Sequence, residues 1–143
     1  MKLVFNYSGG FYAYLIRFFT KGLYTHCGVV IGDTLYQAQI FKGAYKKEWR
    51  PEMWDVIYVD IPEEKEKKVK KFLDKEVGSG YDWVGILHFI FKFLKPSRKR
   101  WFCSELCAKA LVEAGILNKK ESLIYFSPES LFRRISKKYY NKT

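Results

Sequence analysis

The sequence contains little cysteine and little histidine, with three cysteines and two histidines in 143 residues. An odd number of cysteines without regular spacing argues against a disulfide framework and favours a reducing compartment. The four side chains available to a metal ion are Cys103, Cys107, His26 and His88. They include one close cysteine pair and no matching histidine pair, which differs from known zinc patterns. We therefore expect no metal site and no other cofactor, and we expect His88, inside an apolar run, to be a packing residue.

The sequence also lacks a run of about twenty apolar residues, the length that a membrane-spanning helix needs. Its longest apolar stretch, Trp83 to Leu94, is shorter than this and carries His88 and Lys92. Polar and turn residues between Asn6 and Gly10 interrupt the N-terminal region before the apolar core of a signal peptide could form. We expect a cytoplasmic protein that is either soluble or peripherally attached to a membrane.

Acidic residues are few relative to basic ones, 15 against 26, which gives a formal charge of +11 at pH 7. The basic residues concentrate in Lys65 to Lys75, Lys92 to Arg100 and Arg133 to Lys142. This charge favours an anionic neighbour, and phospholipid or a cell-wall polymer would fit. We expect no specific nucleic-acid recognition, because zinc-finger spacing, an arginine-rich recognition helix and a ribonucleoprotein-type aromatic motif are all missing. A scattered solvated surface is the simpler interpretation, and the sequence leaves the oligomeric state open.

The remaining residues suffice for one compact domain over 1–143, since 48% of them are apolar. Strand patterns fall at Lys2 to Asn6, Thr25 to Ile31, Leu35 to Ile40 and Val56 to Ile61. Helix patterns fall at Phe11 to Thr20, Pro62 to Val77, Trp83 to Leu94, Cys103 to Ala114 and Pro128 to Ile135, with a frayed basic tail after the last.

Cys103 begins a predicted helix and lies on its apolar stripe, so we expect it to face the sheet. The free amides and positive end of the helix favour a thiolate there. An imidazole that accepts the thiol proton would make Cys103 a nucleophile, and His26 is the candidate. Each residue taken alone is more often structural, as we expect for Cys27 and Cys107.

The predicted hairpin brings two glutamines to the same side of the sheet as His26. If Gly32 and Asp33 form a two-residue loop, Gly28 pairs with Gln37 and His26 pairs with Gln39. Side chains of directly opposed residues share one face of the sheet. Either glutamine could therefore accept a hydrogen bond from the second imidazole nitrogen and fix its tautomer.

Three segments, Tyr24 to Asp33, Leu35 to Ala38 and Trp101 to Leu106, resemble circularly permuted papain-like proteins related to NlpC-type cell-wall peptidases. Among these, YiiX-like proteins are the nearest group. The histidine precedes the cysteine in the chain, whereas papain-type chains have the opposite order. The resemblance extends over nearly the whole chain, including Tyr81-Asp82-Trp83 and Ser127-Pro128-Glu129.

The resemblance implies a papain-like, circularly permuted α+β domain with an antiparallel sheet packed against a cysteine-bearing helix. It also implies that Cys103 is the nucleophile and His26 the base. The third polar position, often glutamate in such proteins, matches Gln37, and pairing geometry keeps Gln39 as a rival. The lecithin retinol acyltransferase branch shares the permuted order, but its usual Asn-Cys-Glu-His signature is absent around Cys103.

We expect a cysteine hydrolase that cleaves an amide bond in a peptide or amino-acid amide, including a cell-wall peptide, through a thioacyl enzyme. The amide of Cys103 is the first candidate donor to the oxyanion, and Tyr7 is the second. Two alternatives stay open. One is a lipid acyltransferase or thioesterase of the lecithin retinol acyltransferase type, and the other is a non-catalytic binding protein that keeps the fold.

Overall fold

A computed structural model describes residues 1–7, 13, 16–18, 21–39, 42–81, 100–120 and 126–139. Over these residues the protein has an α+β fold with a five-stranded antiparallel sheet. The strands are β1 (Lys2–Asn6), β2 (His26–Ile31), β3 (Thr34–Gln39), β4 (Gly43–Glu48) and β5 (Asp55–Tyr58), in the spatial order β4-β3-β2-β1-β5. A short parallel pair, β6 (Gly80–Tyr81) and β7 (Arg100–Trp101), lies beside β4.

Three helices are described: α1 (Glu63–Glu76), α2 (Cys103–Glu113) and α3 (Pro128–Tyr139). The first two begin and end within a residue or two of the predicted bounds. The third continues past Ile135 to Tyr139, so the expectation of a frayed tail from that point was wrong. The predicted helix at 83–94 and most of that at 11–20 lie outside the described residues. No helix in the described part of the chain is long and apolar enough to cross a membrane.

The hairpin of β2 and β3 turns on Gly32 and Asp33 as predicted, with Ile31 opposite Thr34 and Gly28 opposite Gln37. The sequence analysis missed β4 entirely. This strand is at the edge of the sheet, and its second half is exposed, so it carries too few apolar residues to stand out.

The two faces of the sheet pack differently because successive residues of a strand point to opposite sides. Cys27, Val29 and Ile31 of β2 join the main core, which is closed by the three helices. His26, Gly28 and Val30 belong to the other face, where Val30 packs with Val4 and Leu35 under partly buried tryptophans. The side chains at the start of β2 therefore divide between a face covered by helices and a more open one.

Helix α2 packs on β2 and β3 through a stripe of buried residues, namely Cys103, Leu106, Cys107, Ala110 and Leu111. The stripe recurs at the spacing that the sequence predicts for one face of a helix. Fully burying one leucine contributes about 2 kcal/mol, so the stripe holds the helix firmly in this orientation. The position of Cys103 follows from this packing, because it is the first residue of the helix.

Asp74 ties α1 to the sheet. Its carboxylate accepts hydrogen bonds from Lys70 of the same helix at 2.7 Å and from Lys46 and Tyr36 of the sheet at 2.8 and 2.9 Å. Hydrogen bonds from the two ammonium groups, with a smaller contribution from the Tyr36 hydroxyl, hold the pKa of Asp74 well below its usual value.

We predict that Asp74→Asn lowers the melting temperature at pH 7 by about 3 °C, because the asparagine loses charged hydrogen bonds at a half-buried site. The lowered pKa means that this stabilisation is present above the unfolded pKa and is lost as pH falls through the folded one. The difference between variant and wild type should therefore shrink below about pH 4 in calorimetric scans. Glu64→Gln, at an exposed pair with Lys68 on the same helix, is the control and should leave the melting temperature unchanged at both pH values.

Candidate active site

Cys103 is the first residue of α2, and its side chain is 1% exposed. The preceding Phe102 has an extended backbone, and its amide donates to the Glu105 carboxylate at 3.2 Å. The amide of Cys103 is one of the first four in the helix, which have no acceptor within the helix itself. A buried sulfur is thus placed beside free amides at the positive end of a helix.

The Cys103 sulfur lies at the beginning of β2, beside the His26 imidazole. It also lies beside the thiol and the main chain of Cys27. His26 itself is half-buried and lies opposite Asn6 of β1. The structure therefore brings together the cysteine and the histidine that the sequence singles out.

The predicted pairing of His26 with Gln39 is wrong, because the ladder between β2 and β3 ends at Gly28 and Gln37. One residue before Gly28, Cys27 lies beside the Cys103 sulfur at the start of α2.

Gln37 is the glutamine that contacts His26. Its Oε1 lies 2.7 Å from His26 Nε2, and its side chain is 1% exposed. The two residues are diagonal neighbours across the strands, since Gln37 lies opposite Gly28. A Cβ atom at Gly28 would fall 2.9 Å from the main-chain oxygen of Tyr36, which cannot move aside as a side chain can, so this close packing of β2 on β3 requires glycine.

Gln39 is linked to Gln37, and through Gln37 to His26, by the hydroxyl of Tyr45 on β4. The Tyr45 hydroxyl accepts from Gln37 Nε2 at 2.9 Å and donates to Gln39 Oε1 at 2.5 Å. Tyr45 lies directly opposite Gln37 in the sheet. The three side chains form a polar chain that starts at His26.

The direction of this chain fixes the tautomer of His26. A carbonyl oxygen can only accept, so Tyr45 must donate to Gln39 and accept from the Gln37 amide nitrogen. This leaves Gln37 Oε1 facing the imidazole, and the hydrogen on this contact must come from His26 Nε2. The lone pair of the neutral ring is then at Nδ1, where it can take the proton of Cys103.

The contacts around Cys103 favour a thiolate beside an imidazolium. Burial alone would raise the pKa of Cys103, but hydrogen bonds from Cys27 and His26 and the charge of the imidazolium lower it well below its usual value. Burial likewise disfavours the charged form of His26, yet the hydrogen bond and negative charge of Cys103 and the hydrogen bond to Gln37 raise its pKa. The charge of Lys47 opposes this increase.

The open face of the sheet continues from His26 into a cavity. The Trp54 ring lies 5.8 Å from the His26 ring between centroids, and it also lines a cavity of about 520 Å³. The floor of the cavity includes Leu35, which belongs to the same face of the sheet. Its full lining is Leu35, Lys47, Glu48, Arg50, Glu52 and Trp54.

Sequence reasoning missed Tyr45, Lys47, Trp54 and the contact of Cys27 with Cys103. The first two lie on β4, where alternate positions share the face of Gln37, and recognising that strand would have found them. The sequence gives no signal for Trp54, which precedes β5. Tyr7, the second candidate oxyanion donor, follows β1 and is 54% exposed, and within the described residues no hydrogen bond joins it to Cys103 or His26.

A metal ion finds no site in the described part of the chain, where no group of three or more histidine, cysteine, aspartate or glutamate side chains is arranged to hold one. His88 of the metal alternative lies outside the described residues.

Comparisons with protein-family models, with curated proteins and with solved structures find no match to this chain. The chemistry of the site therefore rests on its own geometry, in which Cys103 lies beside His26 and His26 contacts the Gln37 amide.

We predict that iodoacetamide alkylates Cys103 of the folded protein already at about pH 6, where an ordinary thiol is almost fully protonated. His26→Ala should slow this reaction about tenfold or more, because it removes both the hydrogen bond and the positive charge beside the sulfur. Peptide mapping of the alkylated chain identifies the modified residue. Cys27, whose pKa burial raises well above its usual value, serves with Cys107 as an internal control, and both should react much more slowly than Cys103. Equal rates for all three thiols at pH 6 would contradict an activated Cys103.

We predict that Tyr45→Phe also slows alkylation of Cys103 near neutral pH, by about threefold to tenfold. Without the hydroxyl, the Gln37 amide loses the partner that holds its oxygen toward His26, and the imidazole loses its fixed tautomer. The pH profile of alkylation should shift to higher pH, which a purely structural role would not cause. Tyr58→Phe, at an exposed tyrosine of β5, is the matched control and should leave the profile unchanged.

Proposed function

We propose that this protein is a cysteine hydrolase that cleaves an amide bond in a peptide or amino-acid amide through a thioacyl enzyme. The observation that carries this proposal is the contact of the Cys103 thiol with an imidazole whose other nitrogen is held by Gln37. A nucleophile, a base and a group that orients the base are the parts of a nucleophilic cysteine site. We also propose that the fold is papain-like and circularly permuted, with the histidine strand before the cysteine helix.

In the first step the Cys103 thiolate attacks the substrate carbonyl, and the negative charge moves to the carbonyl oxygen. The free amide of Cys103 at the start of α2 is the donor best placed to stabilise this oxyanion. The His26 imidazolium then gives its Nδ1 proton to the amine as the C–N bond breaks. In the second step neutral His26 takes a proton from water, whose oxygen attacks the thioester and releases the acid and the thiol.

A neutral Gln37 suits this sequence of proton transfers. The positive charge on His26 is stabilised chiefly by the Cys103 thiolate, with the Gln37 amide orienting the ring. When the sulfur becomes bonded to carbon, its negative charge disappears and the pKa of His26 falls. The imidazolium therefore becomes a stronger acid at the stage where the departing amine needs a proton.

The cavity beyond Trp54 indicates where the rest of the substrate binds. It lies on the same face of the sheet as His26, it has apolar surface from Leu35 and Trp54, and charged side chains surround it. A peptide offers both apolar groups and charges to such a site. The basic surface of the chain is consistent with a substrate held in an anionic setting such as a cell wall or a membrane surface.

We predict that Cys103→Ala lowers kcat on a responsive chromogenic amide by about a thousandfold or more. The reason is that the alanine enzyme cannot form the thioester. Cys107→Ala removes a buried thiol one turn further along the same helix and should retain activity, which makes it the matched control. The wild-type profile of kcat/KM against pH should rise as Cys103 ionises and fall as pH passes the raised pKa of His26.

The substrate panel should contain peptide anilides, amino-acid amides and matched esters and thioesters. Preference for an ester of a long acyl chain would favour the acyltransferase or thioesterase alternative. Equal turnover by wild type and Cys103→Ala would contradict a cysteine hydrolase altogether.

A further inference from the structure

The three cysteines of the chain meet at one place, although the proposed hydrolysis uses only one of them. The Cys27 thiol lies beside both Cys103 and Cys107, and all three are buried and free in the same core. Cys27 comes from β2, on the face of the sheet that α2 covers, while the other two are one turn apart on α2. The strand thus places a second thiol directly against the candidate nucleophile.

Cys27 and Cys103 differ in their chemical states. Burial, followed by the neighbouring thiols, raises the pKa of Cys27 well above its usual value, so that it is a protonated donor. Cys103 receives hydrogen bonds from this thiol, from the amide of the same residue and from His26. A thiolate in contact with a thiol is the pair from which an intramolecular disulfide forms after oxidation.

We propose that Cys27 and Cys103 form an oxidation site at which a peroxide converts the two thiols reversibly into an intramolecular disulfide. The proposal needs a reactive thiolate at Cys103 and does not depend on amide hydrolysis. His26, which is half-buried, lies beside the Cys103 sulfur.

The reaction has two steps. The Cys103 thiolate attacks one peroxide oxygen, the O–O bond breaks, and the leaving oxygen takes a proton from the His26 imidazolium, which yields a sulfenic acid and an alcohol or water. The Cys27 thiol then attacks the sulfenic sulfur, the S–S bond forms, the S–O bond breaks, and the proton of Cys27 leaves with the hydroxyl as water. The peroxide is reduced by two electrons, which the two sulfurs supply. A small dithiol reverses the change.

The disulfide would have two effects on the protein. It would remove the nucleophile for as long as the bond lasts, and it would protect Cys103 from sulfinic and sulfonic acids, which thiols do not reduce. Cys107 contacts Cys27 and has no such role in the proposal, which makes it the natural control.

The test treats the full-length protein with hydrogen peroxide, blocks free thiols under denaturing conditions and measures the intact mass and the peptide map. We expect wild type and Cys107→Ser to lose two hydrogen atoms and to show a peptide pair joined through Cys27 and Cys103. Cys27→Ser should show no bridge and should instead accumulate two or three oxygen atoms on Cys103, as the sulfinic and sulfonic acids. Dithiothreitol should restore rapid alkylation of Cys103 in wild type and not in Cys27→Ser.

Three results would overturn the proposal. One is a wild-type chain that gains oxygen at Cys103 without forming a bridge, a second is a bridge that joins Cys27 to Cys107, and the third is equal over-oxidation of Cys103 in wild type and Cys27→Ser. The first two use wild type alone, so they stand even if Cys27→Ser is unstable, which a thermal melt would reveal. Each readout is a mass or an alkylation rate, so a failure to hydrolyse amides leaves the result interpretable.

Discussion

The Cys103 sulfur lies against the thiol and the main chain of Cys27, at the point where the ladder between β2 and β3 stops. This contact joins the first turn of α2 to the end of a strand, and the other features of the site depend on it. It places the sulfur beside His26, which directly precedes Cys27. The buried stripe of α2 holds the helix in the register that makes the contact.

Around this contact the protein uses neutral groups to control charge. The side chains that extend from His26 are two glutamines and a tyrosine, so the polar chain adds no net charge at the interior of the sheet. A buried carboxylate in the place of Gln37 would cost several kcal/mol to desolvate, and it would raise the pKa of the imidazole further. With the amide, the charge on His26 depends mainly on the sulfur.

Much of the site could be predicted from local sequence patterns such as the hairpin loop. The remaining features depend on contacts between residues that are distant in the sequence. Gly32 and Asp33 fix the hairpin loop, and the loop fixes the pairing of Gly28 with Gln37. The choice between Gln37 and Gln39 depends on Tyr45, which lies on an edge strand whose exposed lysines hide its periodicity. The loop does not determine where the ladder ends, so hairpin geometry alone extends the pairing too far.

The site combines residues from both faces of the sheet. Its sulfur is therefore buried, while its base lies on the more open face. Cys27 and Val29 belong to the face under the helices, so Cys103 approaches from the side that excludes water. His26 and Gln37 belong to the opposite face, which leads past Trp54 to the cavity. Successive side chains of β2 point to opposite faces of the sheet, so Cys27 lies in the buried core while its neighbour His26 lies on the more open face. Burial keeps Cys27 protonated and holds its thiol against that of Cys103. The same packing therefore supports both a reactive thiolate and its oxidation partner.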